Sequence, residues 1–213
     1  MAGDIVPYRA VKRVLDKALS TALLLLTSPL LAAVLVAMGL EMLATASARG
    51  PWLYRERRMT QGREFDLLKF RVLRRGAVEK AHDEGQSRTQ EADPANLTWT
   101  GRRLLKPWYL DELPQLLNIL RGDMSLVGPR PWPLAMVREQ ATAGDDYRMR
   151  VIAGWTGPAQ VQKGRPDPAE GAELDLAYAD ACRTWSAWRL ARYDLGILWQ
   201  TIGTLRRGEG LQY

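Results

Sequence analysis

The chain has 213 residues with 30 basic and 24 acidic side chains, one cysteine and one histidine, and its formal charge is +6. That length supports one domain, with or without a membrane element, and a pI of about 9.7 fits nucleic acid, an anionic membrane surface or a phosphorylated small molecule as partner. Cys182 alone excludes an intrachain disulfide and is read as inert, His82 alone excludes a histidine triad or multi-histidine metal site, and no zinc spacing or recognition-helix signature supports nucleic acid.

The first predicted element is an uncharged run from Ala18 to Leu40, rich in Leu, Ala and Val. It is long enough to span a bilayer, but Ser28-Pro29 sits near its centre, where a proline removes one backbone hydrogen bond and predicts a break. Each arm is then ~16 Å of helix, about half of a hydrocarbon core. Arg9, Lys12, Arg13 and Lys17 precede the run, and Arg49, Arg55, Arg57 and Arg58 follow it. Positive flanks on both sides fit a re-entrant helix with both ends in the cytoplasm. A kinked single-pass anchor fits the same residues equally well. A secretory signal fits them less well, because no small-residue cleavage site precedes the basic segment.

Trp52–Arg55 and Glu64–Arg71 read as two strands around a polar turn at Thr60–Arg63. Gly76–Asn96 is polar with almost no apolar anchor and reads as a mobile loop, a solvated surface loop rather than a lid. A short basic segment, Gly101–Lys106, leads into the most informative stretch, Tyr109–Pro131. There Asp111 is placed as a helix N-cap and Glu112 in the first turn, both facing the positive end of the helix dipole and both expected to stay ionised. Leu113, Leu116, Leu117 and Leu120 form the buried stripe of that helix, leaving its acidic end at a surface or cleft. Arg130 follows between two prolines, so an acidic pair and a fixed arginine suit a metal-bound, phosphate-bearing substrate.

Beyond Pro133 the chain reads as helical to about Met149, then glycine-rich over Ala153–Pro166, then helical from about Ala172. Trp185, Trp188, Leu195, Trp199 and Ile202 fall on one stripe, with Arg183, Arg189, Arg192, Arg206 and Arg207 around it. That pattern fits a helix in the headgroup layer and a plain amphipathic core helix equally.

The block Leu110-Asp-Glu-Leu-Pro-Gln-Leu116, with Asn118 and Arg121-Gly-Asp-Met-Ser-Leu-Val-Gly-Pro-Arg-Pro131, resembles the core motif of the bacterial sugar transferases, the polyprenyl-phosphate phosphoglycosyl transferases. Further landmarks follow in the same order: Lys12-Arg-Val-Leu-Asp16, Ser28-Pro29, Arg57 with Phe65, Lys69-Phe-Arg71, Thr156-Gly157 with Ala159-Gln-Val161, Gly164-Arg165, and Asp175 with Tyr178. The resemblance runs from about Lys12 to Thr201, and the short tail before the apolar helix is similar to the small monotopic members.

The resemblance implies an α+β, mainly helical fold. Its parts would be an N-terminal re-entrant membrane helix broken at Ser28 and Pro29 (about 12–48), amphipathic interfacial helices, and a small β-hairpin around a cytoplasmic active site (49–213), all in a single domain over 1–213. It implies transfer of a phosphosugar from a UDP-sugar to polyprenyl phosphate at the cytoplasmic leaflet of the bacterial inner membrane, with release of UMP. Downstream glycosyltransferases would then extend the lipid-linked sugar. Asp111 would be the nucleophile, a carboxylate being a known covalent nucleophile toward phosphoryl groups. Glu112, with Asp111, would hold Mg²⁺. Lys69 and Arg130 would partner the phosphates, and Gln160, Arg165 and Asp175 match positions near the nucleotide or metal, although a purely structural role fits these last three as well.

Several departures surround the acidic pair, among them a few extra residues between Tyr178 and Asp194. Ile152-Ala-Gly-Trp155 stands where Arg-Pro-Gly is common, so an arginine near the nucleotide is missing or replaced by Arg150. Asp93-Pro-Ala-Asn-Leu-Thr98 lacks its usual arginine, and Lys106 stands where an arginine is common, which forfeits bidentate phosphate binding. The rival reading from another class is a non-catalytic membrane scaffold or regulator of a glycan-assembly complex.

Overall fold

A computed structural model describes residues 4–162 and 168–206. In chain order the elements are α1 (Ala10–Ala44), β1 (Leu53–Thr60), β2 (Arg63–Phe70), α2 (Arg75–Asp83), α3 (Arg88–Glu91), α4 (Gln115–Arg121), β3 (Ser125–Val127), α5 (Leu134–Thr142), α6 (Tyr147–Arg150), β4 (Gly154–Thr156), α7 (Pro158–Val161), α8 (Pro168–Thr184) and α9 (Ala187–Arg206). The chain is mainly helical, as expected, with a two-stranded hairpin and a second short strand pair.

Helix α1 is one 35-residue helix with Pro29 inside it, so the expected break at Ser28-Pro29 does not end the helix. The local reason is a substitute donor. Pro29 has no N–H to offer the Leu25 carbonyl, and the Ser28 hydroxyl donates to that carbonyl at 2.8 Å. The preceding residue does the same, Thr27 Oγ1 donating to the Leu23 carbonyl at 2.7 Å. In apolar surroundings such hydroxyls keep a proline-bearing helix intact. Leu25, Leu26, Val36, Leu40 and Leu43 are exposed, and α1 is long and apolar enough to cross a membrane.

Contacts divide the chain into two units, and each is assembled from segments distant in sequence. One unit comprises Thr21–Arg57 and Asp66–Leu117. Its apolar core gathers Val34 and Met38 of α1, Tyr54 and Phe70 of the hairpin, and Val72, Leu73, Ala77, Ala81, Leu97 and Leu105. The buried Arg71 side chain fastens the exit from α1. Its guanidinium donates to the Pro51 and Leu73 carbonyls, each at 2.7 Å, and also to the Ala48 carbonyl.

In the same unit, residues 76–96 are not the loop that their polarity predicts. They form α2, α3 and a 3₁₀ turn at Pro94–Asn96. Two alanines, Ala77 and Ala81, bury one face of α2, and Asp93 Oδ1 caps the turn by accepting from the Ala95 amide at 2.9 Å. The basic segment Gly101–Leu105 is a single π turn. A Cβ at Gly101 would stand 2.5 Å from the Val72 carbonyl, so only glycine admits this approach. Glu41 of α1 caps the turn, accepting from the Trp99 amide at 2.5 Å and from the Thr100 amide and hydroxyl at 2.9 and 2.6 Å.

The other unit comprises the segment ending at Ser20, Arg58–Phe65 and the segment beginning at Asn118. The hairpin turn belongs here. Gln61 and Gly62 take φ of 44° and 73°, the left-handed pair that a two-residue hairpin loop requires. Strands β3 and β4 pair in parallel, Ser125 opposite Gly154 and Val127 opposite Thr156. The backbones close beyond ordinary strand spacing at Gly128, where a Cβ on Gly154 would lie 2.1 Å from the Gly128 nitrogen. A polar knot secures the base of α1. Asp16 Oδ2 accepts from Ser125 Oγ and from Tyr8 Oη, each at 2.7 Å, and Lys12 Nζ reaches Asp194 Oδ2 at 2.6 Å.

Helix α9 carries Trp188, Leu195, Trp199 and Ile202 as exposed side chains. Trp185 leaves the expected stripe. It lies between α8 and α9, edge-on to Tyr193 with ring centroids 5.4 Å apart and under the Arg189 guanidinium.

Candidate active site

The stretch around the acidic pair folds differently from an N-capped α-helix. Tyr109 turns the backbone left-handed at φ 55°, and Leu110–Glu112 form a 3₁₀ turn before α4 begins at Gln115. Pro114 explains the delay, because it cannot donate within a continuous helix. Leu113, Leu116 and Ile119 point inward and Leu117 outward, so the buried stripe runs at a spacing of three. Asp111 and Glu112 are consequently buried, 1 % and 2 % exposed, rather than displayed at a surface.

Burial changes the chemistry of the pair. It pushes the Asp111 carboxyl up to about 6, with the Lys106 ammonium opposing that shift and the neighbouring Glu112 charge adding to it. With its carboxyl at about 6, Asp111 still carries its charge for the most part near neutral pH, as expected, but desolvation outweighs the dipole of a seven-residue helix and narrows the margin. Lys106 Nζ contacts Asp111 Oδ2 at 3.2 Å, and among the described residues Asp111 Oδ1 has no hydrogen-bond partner.

A network extends outward from Lys106. Its ammonium also meets Glu91 Oε2 at 2.7 Å, and Glu91 Oε1 accepts from Ser87 Oγ at 2.6 Å. The Ser87 amide donates to Glu56 Oε1 at 2.6 Å, and Glu56 Oε2 pairs with Lys69 Nζ at 3.2 Å. Lys69, expected as a phosphate partner, is thus buried in an ion pair. Burial pushes the Glu91 carboxyl up, but Lys69 and Lys106 outweigh it and hold Glu91 below its ordinary value. The same two carboxylates, led by Asp111, hold the Lys106 ammonium above its ordinary range against its burial.

Beside this network, Leu30, Ala33, Val34, Leu104, Trp108 and Leu110 line a groove of about 410 Å³. Its walls are apolar, one of them is the face of α1, and Leu110 immediately precedes Asp111.

In the other unit Arg130, through its carbonyl, and Asp175 meet at Arg148 rather than at Arg150. Asp175 Oδ2 accepts from Arg148 Nη2 at 3.1 Å and from Tyr147 Oη at 3.3 Å. Arg148 Nη1 donates to the Arg130 carbonyl at 2.9 Å, and the guanidinium lies 3.9 Å from the Trp132 ring centre. Burial raises the Asp175 carboxyl to about 6, with Arg148 opposing. Gln160 is fully buried, and among the described residues neither end of its amide has a partner. Arg150 is taken by Asp146 one helical turn away, so the arginine that serves Asp175 is Arg148. Arg165 lies outside the described residues.

Sequence reading missed Glu56, Ser87, Glu91 and Arg148. Two signals were available. Tyr54, Glu56 and Arg58 alternate with exposed residues along β1, which puts Glu56 on the buried face, and Ser87 and Glu91 stand four apart on one helical face. Among the described residues no group of three or more His, Cys, Asp or Glu is arranged to hold a metal. Mg²⁺ does not need such a cage, because it commonly takes one or two carboxylates with phosphate oxygens and water. The buried, partnerless Asp111 Oδ1 next to Glu112 fits that donor set.

A profile of the family described as bacterial sugar transferase matches residues 7–208. The UDP-glucose:undecaprenyl-phosphate glucose-1-phosphate transferase of Caulobacter vibrioides is 39% identical over 95% of this chain and 73% of its own length. The protein of the same description in Escherichia coli is 34% identical over 91% of the chain and 40% of its own length. The UDP-N-acetylgalactosamine-undecaprenyl-phosphate N-acetylgalactosaminephosphotransferase of Aeromonas hydrophila is 30% identical over 98% of the chain and 47% of its own length. The chain thus spans less than half the length of the latter two relatives.

Proposed function

The chain belongs to the bacterial sugar transferases, and from that membership we propose that it moves a phosphosugar from a UDP-sugar to polyprenyl phosphate and releases UMP. The observation that carries the reading is the buried Asp111, which has one oxygen held by Lys106 and the other without a partner among the described residues. A carboxylate in that setting is desolvated and oriented, two conditions that raise its reactivity toward phosphorus.

Asp111 attacks the sugar-linked phosphorus, forming an Oδ–P bond as the P–O bond to UMP breaks. An oxygen of the lipid phosphate then attacks the same phosphorus and breaks the Oδ–P bond, which restores the carboxylate. Lys106 stands where negative charge gathers on the transferring group. Glu112 with Asp111 would hold Mg²⁺, which supplies charge neutralisation on the diphosphate. On the family motif Arg130, Gln160, Arg165 and Asp175 serve the donor, and Lys69 supports the acidic pair from its place beside Glu56.

The apolar groove ending at Leu110 suits the first isoprene units of the acceptor. Helix α1 enters the cytoplasmic leaflet as a re-entrant element bent at Ser28 and Pro29, and the Trp188–Ile202 stripe of α9 lies in the headgroup layer. In this reading residues 1–213 are one catalytic domain at the inner membrane, feeding glycosyltransferases that extend the product. Relatives of 30–39% identity carry different sugars in their names, so the motif fixes the reaction rather than the sugar.

The test is UMP release by protein in nanodiscs with Mg²⁺ and undecaprenyl phosphate across a panel of UDP-sugars. Release with one sugar establishes reaction and donor together. Silence across the panel, with membrane insertion verified, favours the scaffold reading.

A further inference from the structure

Lys106 is shared by two carboxylates, and the nearer of them is not the nucleophile. Its ammonium lies 2.7 Å from Glu91 Oε2 and 3.2 Å from Asp111 Oδ2. Glu91 is itself fixed, because its other oxygen accepts from Ser87 Oγ at 2.6 Å while the Ser87 amide is tied to Glu56 at 2.6 Å. The Ser87 hydroxyl and amide thus join the Lys106 pair to the Glu56–Lys69 pair through a segment whose composition gives no hint of order.

We infer that Glu91, held by Ser87, is a positioning residue that keeps the Lys106 ammonium beside Asp111 while Asp111 passes from carboxylate to acyl phosphate and back. This inference rests on the reading of Asp111 as nucleophile. When the Oδ–P bond forms, Asp111 gives up its charge, and Glu91 becomes the carboxylate that still contacts Lys106. Without it, a lysine on a flexible four-carbon stem, already partly open to solvent with 21 % of its side chain accessible, turns outward and leaves the phosphoryl oxygens unneutralised. Before that step Glu91 also shares the lysine's donors, so that Lys106 does not collapse wholly onto the attacking carboxylate. An arginine at this position would bridge both carboxylates with its own planar fork. A lysine is a point charge and needs the second carboxylate to hold its direction.

The experiment is a rapid-quench measurement of the UMP burst without acceptor lipid, on full-length protein in nanodiscs, with the UDP-sugar that gives wild-type release in the panel. Burst amplitude counts competent sites and burst rate reads the chemical step. Glu91→Gln is expected to slow the burst roughly tenfold, with amplitude and donor KM within about twofold of wild type. Glu91→Asp restores most of the rate, and Ser87→Ala slows it by about threefold.

An unchanged rate in Glu91→Gln overturns the inference. So does a reduced amplitude at normal rate, shared equally by Glu91→Asp, which marks a residue that only holds the fold. Asp111→Asn is run alongside. A burst from that variant sinks the nucleophile assignment and the inference with it. Silence from Asp111→Asn together with a normal Glu91→Gln sinks the inference alone.

Discussion

Asp111 and Asp175 are both buried aspartates raised to about 6 by desolvation, but Asp175 has Arg148 as its one opposing cation and Asp111 has two lysines, Lys106 and Lys69. Asp175 is held by Arg148, and that arginine is spent four ways: on the carboxylate, on the Arg130 carbonyl and on the Trp132 and Tyr147 rings. Asp111 is held by Lys106, a rotatable point charge shared with Glu91. The same acid with the same shift is held by a committed arginine in one place and by a shared lysine in the other. What separates them is the geometry and prior commitments of the partner cation.

The comparison breaks first at the proposed nucleophile. Asp111→Asn should cut UMP release by a factor on the order of 10³ or more and leave thermal unfolding unchanged or slightly raised, because a buried charge is removed from a site kept for chemistry. Arg148→Ala should do the reverse. Leaving Asp175 buried without its cation costs about 3 kcal/mol, visible as a clear fall in unfolding temperature in detergent, while the rate per folded molecule changes much less.

The Asp175 shift predicts a pH dependence of stability. Its folded-state value lies above the unfolded value of about 4, so its stabilising contribution is complete below pH 4 and is lost as pH rises through about 6. Unfolding temperature followed from pH 4 to 7 should contain a component on the order of 2 kcal/mol that Asp175→Asn removes. The smallest effect expected is that of Arg148→Lys, which keeps the charge but loses the fork and the ring contact, at about 1 kcal/mol. If Arg148→Lys proves as damaging as Arg148→Ala, the planar fork rather than the charge holds Asp175.

Much of this was legible in the sequence, and the exceptions share a cause. The apolar run of α1 and the Gln61-Gly62 turn each announce themselves through a local rule, and Asp111-Glu112 through the family motif. Leu117 was misplaced because Pro114 delays α4 and shifts its buried face to a spacing of three. Residues 76–96 were misread because hydrophobic periodicity is blind to a segment held by two small alanines and a set of charges. Glu91 becomes meaningful only once Lys106, fifteen residues away, is known to face it. Arg148 was missed because sequence spacing cannot tell which arginine of one short helix turns toward Asp175.

Arg71 has a mechanical side. One guanidinium grips the backbone at Ala48 and Pro51, just past the end of α1, and at Leu73, just past the end of β2. A tilt of the long apolar helix therefore has no slack to absorb it. With α1 in the bilayer as proposed, strain applied by a thinner or thicker membrane would be delivered through this pin into the strand that carries Lys69, making the lipid environment a setting on the proposed site as well as its solvent.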